Sequence, residues 1–244
     1  MIIELSERKK LILQSIISDY VDTAEPVGSF TITNHYIKTI SPATIRAEMA
    51  ELEHIGYITH PHTSAGRIPT DLGYRYYVDN IMETKNISGK EITIIKTGIK
   101  EIGRGIENVL KGTAKLISNI LGHFAVFSVF KKEHKEIYSS GISNILKQPE
   151  FKDIHDARRL VEIIEHEQFL SHILEEYSKR KDFSISIGHE NQQKELCDLS
   201  LVVAQYNLKG LCPGAIGIIG PTRMEYNRIA SILNYISKEA DNLI

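Results

Sequence analysis

The stretch Ser41–Val78 reads SPATIRAEMAELEHIGYITHPHTSAGRIPTDLGYRYYV, and it holds the side chains best suited to gripping a nucleic acid. Thr44, Arg46, Ala47 and Glu48 fall on the face of a helical segment opposite Ile45, Met49, Leu52 and Ile55, with Ser41 at its start. Arginine can make a bidentate contact with guanine in the major groove, worth about 1–3 kcal/mol of discrimination. Downstream, His62, Thr63, Ser64, Gly66 and Arg67 lie in a polar turn. Small and hydroxylated residues there let the backbone approach phosphates, and Arg67 supplies charge. Ser29 and Thr31 at the start of a short helix, and Tyr74 and Arg75 in a later one, are further phosphate donors. Plainer readings stand beside these. Arg46 could pair with Glu48 or Glu51, the polar turn could be an ordinary surface turn, and Tyr74 could simply pack.

Other chemistries are less well supplied. His54, His60 and His62 have no acidic or thiol partner at ligand spacing, so no metal is expected. Cys197 and Cys212 lie outside any C-x-x-C pattern and read as free thiols in a reducing cytoplasm. Gly214, Gly217 and Gly220 imitate a phosphate-binding loop, but no Lys-Ser/Thr follows, and close strand packing explains them better. Arg223 reads as structural rather than ligand-binding. No Ser-His-Asp, Cys-His or paired-carboxylate arrangement emerges, so neither catalysis nor a cofactor is expected.

These residues need elements to hold them. Leu13, Ile16, Ile17, Tyr20 and Val21 predict a first helix from about Ser6 to Tyr20, and Ser29–Tyr36 predicts a second. Ser41-Pro42 opens a third helix and Gly56 closes it. Tyr57–Thr59 reads as a strand, and Asp71 to about Met82 as a fourth helix. That order matches what a winged helix-turn-helix needs. A polar stretch near Thr84–Lys90 reads as a linker. Apolar residues then step by three and four from Ile92 to Ile120, predicting one long helix whose seam covers a domain or forms a dimer. Strands are expected at His123–Phe130, Phe183–Ile187, Leu199–Tyr206 and Ala215–Ile219. Asp156–Tyr177 and a segment from Pro221 to Leu243 read as helices, which makes an α+β sensor-like domain.

Charge argues against a strong nucleic-acid binder. Net charge is −2 over 244 residues, and residues 1–81 carry seven basic against ten acidic side chains. Affinity must come from where the few cations sit, and is modest for one protomer. No apolar run is long enough to span a bilayer, and no leader is expected, so the protein reads as cytoplasmic and without a membrane partner.

The chain resembles the HrcA family of bacterial heat-inducible transcription repressors. The residues that carry the likeness are EPVGS (Glu25–Ser29), ATIR (Ala43–Arg46), PHTSAGRIPT (Pro61–Thr70), GYR.YVD (Gly73–Asp79), GISNIL with QPEF (Gly141–Phe151), IGHEN (Ile187–Asn191) and GIIGPTRMEY (Gly217–Tyr226). They occur in family order over nearly the whole chain. The resemblance implies a winged-helix domain at 1–83, a linker at 84–91 and a GAF-like regulatory and dimerisation domain at 92–244, joined by the long helix. It implies repression of chaperone operons through an inverted-repeat operator, CIRCE, bound as a homodimer. It also implies that the chaperonin GroEL promotes the active repressor. Two departures stand out. Family members usually carry an inserted dimerisation module between the stretch matching FAVFSVF and GISNIL, where only Lys131–Ser140 stands here. ATIRAEM also replaces the commoner ATIRNDM, which is expected to place Ala47 and Glu48 on the exposed helix face.

Overall fold

The computed structural model describes residues 4–62, 65–83, 87–102, 105–130, 135–180, 183–207 and 213–239. They form two compact units, one of Met1–Glu83 with Arg223–Glu225 and one of Thr84–Thr222 with Tyr226–Ile244.

The first unit runs α1 (Glu7–Thr23), α2 (Ser29–His35), α3 (Pro42–Ile55), β1 (Ile58–Thr59), β2 (Ile68–Pro69) and α4 (Asp71–Asn80). Its core is built from the apolar stripe of α1 (Ile12, Leu13, Ile16, Ile17), Ile32 of α2, and Ile45, Met49 and Leu52 of α3. Helix α3 begins where the sequence says it must. Ser41 caps it by accepting from the Thr44 amide, Pro42 fills the first turn, and Gly56 ends it with φ 89°. The short antiparallel pair β1–β2 gains a further rung, because Val27 and Arg67 exchange both backbone hydrogen bonds at 2.8 and 2.9 Å. Arg223, far away in sequence, donates from Nη1 to the Val21 carbonyl at the end of α1.

The second unit is a five-stranded antiparallel sheet in the order β4-β3-β7-β6-β5, made of β3 (Phe124–Phe130), β4 (Lys135–Ser140), β5 (Phe183–Ile187), β6 (Leu199–Asn207) and β7 (Pro213–Pro221). One face packs Phe124, Val126, Leu201, Val203, Ala215 and Ile219 against α8 (Ile154–Glu165) and α9 (Glu167–Arg180). The alternate residues face the other way, where α6 (Ile106–Leu121) packs on β3 and β4, and α10 (Tyr226–Glu239) on β6 and β7. Strands buried on both faces explain why their sequences are almost wholly apolar.

Three expectations about the helices need correction. The long helix read from Ile92 to Ile120 is two, α5 (Gly89–Glu101) and α6, separated by Ile102 in extended backbone and Gly105 at φ 105°. The seam is partly covered within the chain: Ile95, Ile99 and Val109 are buried and α5 packs on α6, while Ile92, Ile102, Ile106, Leu116 and Ile120 are half-buried. Gly98 and Gly112, which weaken an isolated helix, mark the contact: a Cβ at either would come within 2.7 Å of Leu116 or Ile102. Ser88 caps α5 with a full capping box to Glu91, so the helix reaches back into the stretch read as linker. Asp156–Tyr177 is likewise two helices, broken at His166 (φ −84°, ψ 72°). Pro221 ends β7 rather than opening α10. Edge strand β4 and the short helix α7 (Ile142–Ile145) were not expected at all.

Several family-like motifs are structural. Asn144 of GISNIL donates to the Ser118 carbonyl and hydroxyl, and Gln148 donates to the Gly122 carbonyl, which together finish the open end of α6. Asn191 of IGHEN is 4% exposed, its amide serving the carbonyls of Gly188, Leu196 and Leu199 at 2.8–2.9 Å while its oxygen accepts from Tyr177. Asn191→Ala strands those groups in the interior and is expected to cost about 2–4 kcal/mol, since each buried unpaired polar group costs about 1–3. A urea midpoint within error of the parent's would refute that role.

Glu175 on α9 is gripped by Lys135 of β4 and by Lys179 one turn on. The hydrogen bond from Lys135, then that from Lys179, holds its carboxyl at about 2 against an ordinary 4.5. As pH falls, the unfolded chain binds this proton first, so the stabilisation is whole above about 4.5 and drains away between there and about 2. Glu175→Gln is expected to lower Tm at pH 7 by about 2–4 °C, the shift that about 1 kcal/mol makes in a chain of this size. The gap from the parent should close as pH approaches 2. A gap of equal size at both pH values would show that the ion pairs contribute nothing.

Candidate nucleic-acid interface

Helix α3 presents a sorted surface. Ser41, Thr44, Arg46 and Ala47 are exposed. The Ser41 and Thr44 hydroxyls lie 2.9 Å apart and complete the cap. Glu48 does not join them, contrary to expectation. It stands three residues after Ile45 and four before Leu52, so the helical period turns it inward, where it is 6% exposed. Arg8 of α1 meets it at 2.6 Å and Lys9 at 3.2 Å, and Lys9 also holds Glu51 at 2.8 Å. Hydrogen bonds to Glu51 and then Glu48 keep the Lys9 ammonium charged beyond its ordinary range. Both acids are taken by α1, and the pairing weighed for Arg46 does not form. Among the described residues its guanidinium makes no ion pair and no hydrogen bond.

The hairpin after α3 is anchored by one carboxylate. Glu53, in the last turn of α3, receives Arg67 through Nε and Nη2, both at 2.8 Å, and also bonds to His60 Nδ1. Partial burial opposes its charge, yet the bonds from His60 and Arg67 outweigh this and hold the carboxyl below its ordinary range. The Arg67 charge is therefore spent on fixing the hairpin to the helix. His62 is exposed beyond it. Gly66 is pressed on the preceding loop, where a Cβ would sit 2.6 Å from the Pro26 carbonyl oxygen. Thr63 and Ser64 lie outside the described residues.

The remaining candidates divide. Thr31 is half-buried on α2 and Ser29 is buried at its start. Tyr74 is 1% exposed and belongs to the core, so no phosphate can reach it, and the packing alternative holds. Arg75 pairs with Asp79 one turn along α4 at 3.0 Å. Lys38, in the turn between α2 and α3, is exposed and makes no side-chain ion pair or hydrogen bond among the described residues. Motif reading passes over it, since it lies in none of the matched segments; a ledger of charges would have found it. Among the described residues no three His, Cys, Asp or Glu side chains gather as a metal site. Gly214, Gly217 and Gly220 all lie within β7. Gly217 leaves room for Leu174 of α9 and Gly214 for the Tyr206 ring, as close packing requires.

Comparison with known proteins gives this surface its context. The family model described as "HrcA protein C terminal domain" matches residues 79–230. A heat-inducible transcription repressor HrcA of Desulforamulus reducens is 30% identical over 96% of this chain and 96% of its own length. That of Acetivibrio thermocellus is 31% identical over 96% and 95%. The first alignment spans 332 positions against a chain of 244 residues, so the relative carries stretches with no counterpart here. A crystal structure of a hypothetical protein shares the fold with a TM-score of 0.75 at 18% identity, covering 98% of each chain. No helix among the described residues is long and apolar enough to cross a membrane. On the match of the family model and the near full-length identity to these repressors, the chain belongs to the HrcA family of heat-inducible transcription repressors.

Proposed function

We propose that the first unit is a winged helix-turn-helix that lays α3 in the major groove of an operator. The observation that carries this reading is Arg46, exposed on α3 and without an ion pair or hydrogen bond among the described residues, in a unit that pairs most of its cations. An uncommitted guanidinium there is free to take O6 and N7 of a guanine in bidentate contact. Ala47 beside it offers an apolar contact for a thymine methyl. Ser41, Thr44 and Thr31 supply hydroxyls for phosphates, and the hairpin loop with His62 and Gly66 brings backbone alongside. Arg67 serves this arrangement indirectly, by holding the hairpin on Glu53.

The second unit is read as a GAF-like regulatory and dimerisation domain, supported by its five-stranded antiparallel sheet with helices on both faces. One protomer offers few cations, so its hold on DNA is weak, and a dimer on a two-fold repeat compensates. The operator is a CIRCE-type inverted repeat before chaperone operons, and GroEL promotes the binding form. The apolar face of α10 is buried within the chain, whereas the α5–α6 seam is only partly covered and keeps Ile94 exposed beside it.

The test is binding of the full chain to a CIRCE-type duplex and to a scrambled one across a salt series, with and without GroEL. Preference for the repeat, falling with salt and strengthened by GroEL, is the expected result. Equal affinity for both duplexes with GroEL present would sink the reading. Arg46→Ala is expected to lose about 1–3 kcal/mol of the preference while leaving scrambled-duplex binding much less changed. Intact preference in that variant would remove Arg46 from base recognition.

A further inference from the structure

The first unit closes its charges on itself almost completely. Of the seven basic side chains between residues 1 and 81, five are committed to acids. Arg8 and Lys9 hold Glu48, Lys9 reaches Glu51, Lys10 holds Glu7, Arg67 holds Glu53 and Arg75 holds Asp79. Only Lys38 and Arg46 remain, both exposed and neither with a side-chain partner among the described residues. They stand on either side of Ser41, one in the turn before α3 and one in its second turn.

That placement sets how a polyanion can approach. Duplex DNA carries about one negative charge per 1.7 Å of axis. With ten acids against seven bases in residues 1–81, most of the unit's surface repels it. The attractive part is the segment around Ser41, where two exposed cations have no acid paired to them among the described residues. The two differ in chemistry as well. The guanidinium of Arg46 is a planar fork suited to a base edge, whereas the Lys38 ammonium is a compact point charge on a flexible stem, suited to a phosphate.

Resting on the DNA-binding reading above, we propose that Lys38 is a backbone-contact residue of this interface. It neutralises one phosphate beside the base pair that Arg46 reads, and so fixes the register in which α3 enters the groove. Its role is electrostatic rather than structural, because among the described residues its side chain makes no ion pair or hydrogen bond.

The experiment measures full-chain binding to the inverted-repeat and scrambled duplexes for parent, Lys38→Gln, Lys38→Arg and Arg46→Ala over 50–200 mM salt. Lys38→Gln is expected to weaken both duplexes by the same factor. It should reduce the slope of log affinity against log salt by about 0.9 per bound protomer, so that over this range the parent's advantage shrinks about threefold per protomer. Lys38→Arg should restore the slope, and thermal melts of all variants should match the parent. An unchanged slope in Lys38→Gln, while the parent still prefers the repeat, overturns the assignment and leaves the DNA reading standing. Weakening of the repeat alone also overturns it, because that is the signature of base contact. A parent that shows no preference removes the DNA reading itself, and the role of Lys38 with it.

Discussion

A carboxylate in the wrong-looking place organises the first unit. Glu48 interrupts the apolar stripe of α3 and is nearly sealed from water. A buried charge is tolerated only when opposite charges come to it. Arg8 and Lys9, adjacent on α1, supply them, and their attachment presses α1 along the inner face of α3. Arg46 is left without a partner for a separate reason: the positions three and four away from it on α3 are Pro42, Ala43, Met49 and Ala50, so its own helix face offers no carboxylate.

A second carboxylate repeats the logic at the far end of the helix. Glu53 binds His60 and Arg67, which flank the hairpin turn on either strand. Three side chains thereby fix the hairpin to α3, and the Val27–Arg67 rung fixes it to the loop before α2. The unit pays for its rigidity with cations, which leaves little charge for a ligand. On the DNA-binding reading proposed above, that trade makes the orientation of the few free cations matter more than raw attraction.

Much of this was legible in the residues. Ser41-Pro42 and Gly56 state both ends of α3, and the strands of the second unit announce themselves as apolar runs. What was missed shares a cause. The apolar period continues across Ile102–Gly105 and across His166, so periodicity alone hides both breaks, although Gly103 and Gly105 stand at the first. Strand β4, with the sequence KEIYSS, is an edge strand only half-buried, and its pairing with β3 rather than its own composition makes it a strand. Glu48 was misplaced although its spacing from Ile45 and Leu52 points inward, because acids are assigned outward by habit. Arg67 and Tyr74 looked available because their partners, Glu53 among them, are brought near by the fold and not by the chain.

The shortness of the chain fits the same picture. The resemblance puts the relatives' additional module between the stretches matching FAVFSVF and GISNIL. Here those stretches are joined by β4, which pairs with β3 in register from Ala125–Ser140 up to Phe130–Lys135. A module inserted beyond Phe130 and Lys135 would extend from the tip of a hairpin, the place where a sheet accepts added chain without losing a single pairing. Its loss therefore leaves the sheet, both helical layers and the motif-borne caps at Asn144, Gln148 and Asn191 intact. The second unit closes its core without any such module: the apolar face of α10, from Ile229 to Ile236, is buried against β6 and β7, while Ile94 on α5 and Ile154 on α8 stay exposed.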